Sequence, residues 1–466
     1  MQSIYIAIVC ALLLYGIIKK LLPQGLLFLA GFALLGATVI MGWGHGTIPV
    51  KAHTGSVFFD FFALLKQIFS NQFANLGLVI MVMGGFAKYL SHIKASNKLV
   101  EYAVKPLSFI KKPYMLLSLF YILAVFLNMF ITSAAGFGML LMVTVYPILI
   151  GMGISKYSAV GMIVTTGCLE LGPVHTNLVT AANLAKIDVS EYFIQYQLPV
   201  SIPAMLVIAI SHYFWQKYCD QKMGHDVDVA KAEVAAQGQL NTEVTTSKDV
   251  PWFYALFPLI PFVCVLLFSK IAEDLGIKLG IKLDITSAIL FSVAIVLVID
   301  FIGSRANLRK ALDNFNYFLK GMESMVPVVT LIVAGSFFAE GLLASGGIDI
   351  LVKIAENSGL GATGMTIVMV LVIMGAAALM GSGNASFIPL ASIAPPVAAK
   401  FGVSAVYMLL PMQLISSMAR VLSPIVAVSI ACAGMAGIST VDVVKRTSVP
   451  ILLGSVVMLI TSLMFV

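Results

Sequence analysis

Charge is what this 466-residue chain has least of: Asp, Glu, Lys and Arg make up only 11% of it. A soluble globule needs about a quarter of its residues charged, so a water-soluble fold is excluded. Cysteine is also sparse. Cys10, Cys168, Cys219, Cys264 and Cys432 show no C-x-x-C spacing, which excludes a disulfide framework and a thiolate metal cluster. No basic stretch precedes the first apolar run, Met1 to Ile18; Lys19 and Lys20 follow it, so the run reads as a retained helix and not a cleaved signal. Walker, G-x-S-x-G and H-E-x-x-H patterns are missing, which leaves neither an ATPase nor a recognisable hydrolase. His45 and His53 have no partner cluster, so no metal site is expected there. The net charge of +7 suits basic loops on one membrane face and calls for no nucleic-acid partner.

What the chain has is apolar sequence, 60% hydrophobic with a mean hydropathy of +1.01. Runs of about 17–25 residues, each able to cross a bilayer core, recur along its length. They are too long for the strands of a membrane barrel, and the fold class is an all-α polytopic membrane protein.

Five regions follow from the order of these runs. Residues 1–112 hold scaffold helices (Ile4 to Ile18, Leu26 to Trp43, Ala74 to Leu90), an interfacial or scaffold helix on the outer side (Ser56 to Ser70) and an amphipathic arm (Ser96 to Ile110). Lys88, Lys94, Lys98, Lys105, Lys111 and Lys112 place that arm at the cytoplasmic surface. Residues 113–215 carry a hairpin broken at Thr132 to Gly138, a helix broken at Glu170 to His175, and a final helix from Tyr192 to Phe214. Residues 216–250 are the polar linker. Scaffold helices recur in 251–358 (Trp252 to Ser269, Ser287 to Ile302, Met325 to Leu343), with Arg305, Arg309, Lys310 and Lys320 in a loop; residues 359–466 form the second hairpin, broken helix and final helix.

The halves can be laid on each other. A shift of 249 positions pairs Ser133 with Ser382, Pro147 with Pro396, Gly153 with Gly402 and Ser155 with Ser404. Two residues of gap then pair Pro173 with Pro424, Ile187 with Ile438, Glu191 with Asp442 and Pro199 with Pro450. Two inverted-topology repeats with re-entrant hairpins and broken helices are expected, their breaks meeting near the midplane. Half-helix N-termini there favour an anionic ligand.

Thr132, Ser133, Ser382, Gly383, Asn384 and Ser386 supply donors and acceptors at the two tips, or else simply let helices pack closely. Arg420, in the run that ends at Ser423-Pro424, is the most informative charge, since an arginine inside a membrane costs about 2.5–3.5 kcal/mol on insertion scales. Its guanidinium suits a carboxylate; a structural ion pair is the other reading. Glu170 sits at nearly the equivalent place in the first half and either binds a coupling proton or sodium ion or neutralises Arg420. His175, together with Asn177, joins it as a coupling candidate or as a hydrogen-bonded filler.

In Gly381-Ser-Gly-Asn-Ala385, Arg420-Val-Leu-Ser-Pro424, Val443-Val-Lys-Arg-Thr-Ser-Val-Pro450, Thr132-Ser-Ala-Ala-Gly136 and Gly153-Ile-Ser155 the chain resembles the DcuC family of anaerobic C4-dicarboxylate carriers, in the ion transporter superfamily. The resemblance spans essentially the whole chain. It implies a homodimeric, multi-pass carrier in the bacterial inner membrane for succinate, fumarate or malate. It also implies an elevator-type movement, with a proton or sodium ion for coupling and no other cofactor. The chain departs from the superfamily's Ser-Asn-Thr signature: Ser382-Gly383-Asn384-Ala385 keeps its asparagine, and the first tip has none, with Ala135 at the register position of Asn384. Other small organic anions, such as citrate, a monocarboxylate or an acidic amino acid, are the alternative cargo. A membrane-embedded enzyme using Glu170 and His175 is a remote one, for want of a nucleophile or cofactor motif.

Overall fold

A computed structural model of the chain describes all residues except 20, 44–47, 49, 111, 228–249, 269–282, 304–306 and 358–359. The described residues contain helices and connecting turns, with no strand. Eight of these helices are long and apolar enough to cross a membrane. Most of the expected linker lies outside the described residues, as do Lys20, His45, Lys111 and Arg305. The linker also starts later than its composition suggests, because the helix Val189–Lys222 runs on past Trp215. Its last two turns are held by buried Gln216 and Asp220, polar residues that read as surface in the sequence.

Two segments differ from expectation in the same way. Ser56 to Ser70 is helical as expected but is not separate from the next helix: Val57–Gln72 continues through a wide turn, Phe73–Gly77, into Leu78–His92. The basic loop holding Arg309, Lys310 and Lys320 is helical as well, over Leu308–Glu323, and leads straight into Val326–Ala344. Neither junction contains a residue that must stop a helix; Pro327 sits in the first turn of its helix, where its missing N–H costs nothing.

The two long helices that result, Val57–His92 and Leu308–Ala344, cross each other. Backbones touch at the crossing, where a Cβ on Gly321 would lie 2.5 Å from the Gly84 carbonyl oxygen and 2.6 Å from Gly85 Cα. Small residues let the backbones approach, and dispersion holds them, since lipid offers no hydrophobic drive between spanning helices. Pro23–Met41 packs along Val326–Ala344, again through glycine, with Gly31 against Gly341.

Beside these crossed helices the local structures recur at the paired positions. Ser133 and Ser382 each cap a helix, accepting from Gly136 N and Ala385 N, both at 3.2 Å. Ser155 and Ser404 cap the next helices, after Gly153 and Gly402 with φ of 82° and 68°. Lys186 and Gly437 end the following ones in left-handed conformation, and Ile187 N and Ile438 N each reach back to a carbonyl at 3.0 Å.

The first hairpin is Pro113–Asn128 and Ala134–Gly151; the first broken helix is Lys156–Thr165 and Thr176–Ala185. In the second half they are Gly361–Met380 with Gly383–Ala391, and Ala405–Arg420 with Ala427–Ala436. Each tip rests on its own half's break. Gly381, at φ 65°, has room for no Cβ without meeting Val426 N at 3.0 Å, and a Cβ on Gly172 would meet Met129 Cβ at 3.2 Å. A buried ion pair joins the halves: Arg446 Nη1 lies 2.9 Å from Asp220 Oδ1. That carboxylate also accepts from Ser155, Ser158 and Tyr114, which satisfies a charge with no exposure at all.

Candidate functional site

Three half-helices begin at one cavity of about 450 Å³: Ala134 and Gly136, Thr176, and Asn384 lie on its wall near their N-termini. That volume is in the range that holds small ligands, about 300–1,000 Å³. Unpaired N–H groups at helix starts favour an anion there.

Of the residues singled out in the sequence, Thr132, Ser133, Asn384, Glu170, His175 and Arg420 line the cavity. The others stand behind it. Ser382 is the cap of its helix; Ser386 is buried and donates to Gly383 O at 2.9 Å; Ser423 is buried within the second break, after Arg420. Gly383 lies under the site, where an added Cβ would be 3.5 Å from both Arg420 Cδ and Asn177 Nδ2. Its lack of a side chain leaves those two groups their space.

Arg420 ends the helix Ala405–Arg420 and reaches across to the other half. Its Nη1 is 3.1 Å from Glu170 Oε1, and its Nη2 donates to Gly167 O at 3.0 Å. Glu170 Oε2 accepts from Asn177 Nδ2 at 3.1 Å. Two carboxylate oxygens are therefore engaged, and the cation and anion cancel inside the wall. The ion-pair reading of Arg420 is realised in this conformation. Asn177 is fully buried, and its Oδ1 has no protein partner.

Glu170 sits at φ 42°, uncommon for a residue with a side chain. Gln197 holds it there. Its Nε2 donates to Glu170 O at 3.1 Å and its Oε1 accepts from Gly172 N at 3.3 Å. His175 Nε2 lies 3.1 Å from the Asn128 carbonyl, an acceptor, so the ring donates and ties the break to the first hairpin.

Several lining residues escaped the sequence reading: Lys88, Ser91, Ser96, Asn97, Thr176 and Ser324. All but Thr176 come from the helix Val57–His92, the helix Ala95–Val104 or the turn before Val326–Ala344. Lys88 carried a signal, but as one of a basic run it read as surface. Gln197 was visible only as a lone amide in an apolar helix.

The family model for the C4-dicarboxylate anaerobic carrier, DcuC, matches residues 1–466. The chain belongs to the DcuC family. The family is one of transporters and not of enzymes. A probable anaerobic C4-dicarboxylate transporter DcuC of Vibrio cholerae is 36% identical over 457 residues, covering 97% of this chain and 95% of the relative. The anaerobic C4-dicarboxylate transporter DcuC of Escherichia coli K12 is 34% identical, covering 96% and 93%. Among solved structures, the YdaH transporter of Alcanivorax borkumensis superposes with a TM-score of 0.62 at 15% identity, over 95% of this chain and 98% of that one. MtrF of Neisseria gonorrhoeae gives 0.54 at 13%, covering 95% and 93%. These two likenesses speak to the fold of a DcuC-family chain: helical and multi-spanning.

Proposed function

We propose that this protein is a secondary transporter of C4-dicarboxylates such as succinate, fumarate and malate across the bacterial inner membrane. Arg420 carries the reading: it is a cation on the wall of a cavity that three helix N-termini bias toward anions. A substrate carboxylate takes the guanidinium in bidentate fashion, displacing Glu170, while Thr132, Ser133 and Asn384 bind the remaining oxygens. Ser382, Gly383, Ser386 and Ser423 keep the tips in shape from behind.

Glu170, His175 and Asn177 form the coupling set. Once Glu170 loses Arg420 to the substrate, its carboxylate needs a counter-charge, and a proton or sodium ion supplies it. The unpartnered Asn177 Oδ1 beside it suits that role.

The recurring caps and turns support two repeats, and the basic ends of the scaffold helices support their being inverted across the membrane. We assign residues 1–112 and 251–358 to a scaffold that forms a homodimer. Residues 113–215 and 359–466 form a transport body that moves against it as an elevator, with the linker on the cytoplasmic side. Joining of the two transport halves by Asp220 and Arg446 favours motion as one body.

The test is uptake of radiolabelled succinate into proteoliposomes under imposed proton and sodium gradients. Accumulation above background under at least one gradient is expected. Background uptake under both would sink the reading.

A further inference from the structure

We propose that Lys88 is a specificity residue for the second carboxylate, offered to the substrate from the cytoplasmic side only; this rests on the transport reading above. The cavity wall carries two formal cations, Arg420 and Lys88. Arg420 is matched by Glu170 at 3.1 Å until the first carboxylate of the substrate takes it, and it is then engaged and leaves the second carboxylate without a cation. Lys88 is different. Its side chain is exposed, its Nζ makes a long 3.4 Å bond to Lys320 O, and no carboxylate of the described residues pairs with it. It is the cavity's available positive charge. A flexible four-carbon stem lets its ammonium follow a carboxylate whose position varies with chain length.

Lys88 also belongs to a different part of the molecule from Arg420. It lies on the scaffold helix Val57–His92, one turn from Ser91 and next to the lysine-bearing arm Ala95–Val104. The middle of that helix lines a second cavity, of about 240 Å³, where Asn71, Gln72 and Asn75 share the wall with Thr180, Asn183 and Ser392. No charged side chain of the described residues lies on its wall. Lys88 and Asn75 are 13 positions apart in the sequence, which at 1.5 Å per residue is a separation of about 20 Å. A transport body that slides along this helix exchanges an ammonium for amides. Substrate facing the cytoplasm then meets one cation more than substrate facing outward, and a monocarboxylate, already served by Arg420, gains little from it.

The experiment is succinate exchange in right-side-out and inside-out membrane vesicles, with butyrate as competitor, for wild type, Lys88→Gln and Lys88→Arg. In Lys88→Gln, half-saturation by succinate at the cytoplasmic face should rise about three- to tenfold. The shift at the outer face should stay below twofold, and inhibition by butyrate at the cytoplasmic face should move less than that of succinate. Raising ionic strength should weaken cytoplasmic binding in wild type and less so in Lys88→Gln. Lys88→Arg should return to wild-type values. Equal shifts at the two faces, no shift at either, or equal shifts for succinate and butyrate would each overturn the assignment. Absence of succinate exchange in the wild type is a separate result, since it removes the transport reading beneath it before any variant is compared.

Discussion

Arg420 and Glu170 are the residues on which structure and function compete. Removing the guanidinium leaves a carboxylate, 9% exposed, with Asn177 as its remaining side-chain partner. Breaking such a pair from one side costs about 3–5 kcal/mol. Arg420→Ala alone should therefore lower both stability and transport, which by itself says nothing about substrate. The double variant Glu170→Gln with Arg420→Ala removes both charges. It should recover most of the lost thermal stability, yet show no stabilisation by succinate in a thermal-shift titration. Succinate-dependent stabilisation in the double variant would mean that Arg420 serves the fold and not the ligand. Local sequence placed each of these residues at a break, but whether they touch depended on how two halves 250 residues apart pack.

At the scale of elements, the hairpins and breaks are cheap in sequence and expensive in packing. Serine caps, left-handed glycines and first-turn prolines set their ends, and these signals are local. The clasp between Val189–Lys222 and Thr440–Phe465 is not. Asp220 accepts from Arg446, Ser155, Ser158 and Tyr114 while fully buried. Asp220→Ala leaves Arg446 as an uncompensated buried charge, and a loss of about 3–5 kcal/mol is expected. The measurable result is a lower thermal-unfolding midpoint in detergent, with a smaller drop for Asp220→Ala combined with Arg446→Met. A single variant that unfolds like wild type would show that water, and not the clasp, satisfies these groups.

For the molecule as a whole, the question is whether the proposed scaffold and the proposed transport body slide. Gly335, on the scaffold helix Val326–Ala344, lies against the second hairpin, where a Cβ would be 3.2 Å from Pro389 Cα. Gly335→Leu should wedge this contact, so that succinate still stabilises the purified protein while exchange across the membrane falls at least tenfold. Retained exchange would argue against movement along that face. Membrane class, the number of apolar runs and the repeat of caps and glycines were legible in the chain itself, because hydropathy and capping act over a few residues. The sequence determined which runs are apolar and which residue types stand near the breaks, while the first break lies before Ala134, where Ser133 caps the helix, and not across Thr132 to Gly138. Tertiary structure decided the rest: that Arg420 is held by Glu170, that Ser386 and Ser423 face away from the cavity, and that Lys88 faces into it. Those outcomes depend on the rotation of each helix against neighbours far away in sequence, and no local pattern encodes that rotation.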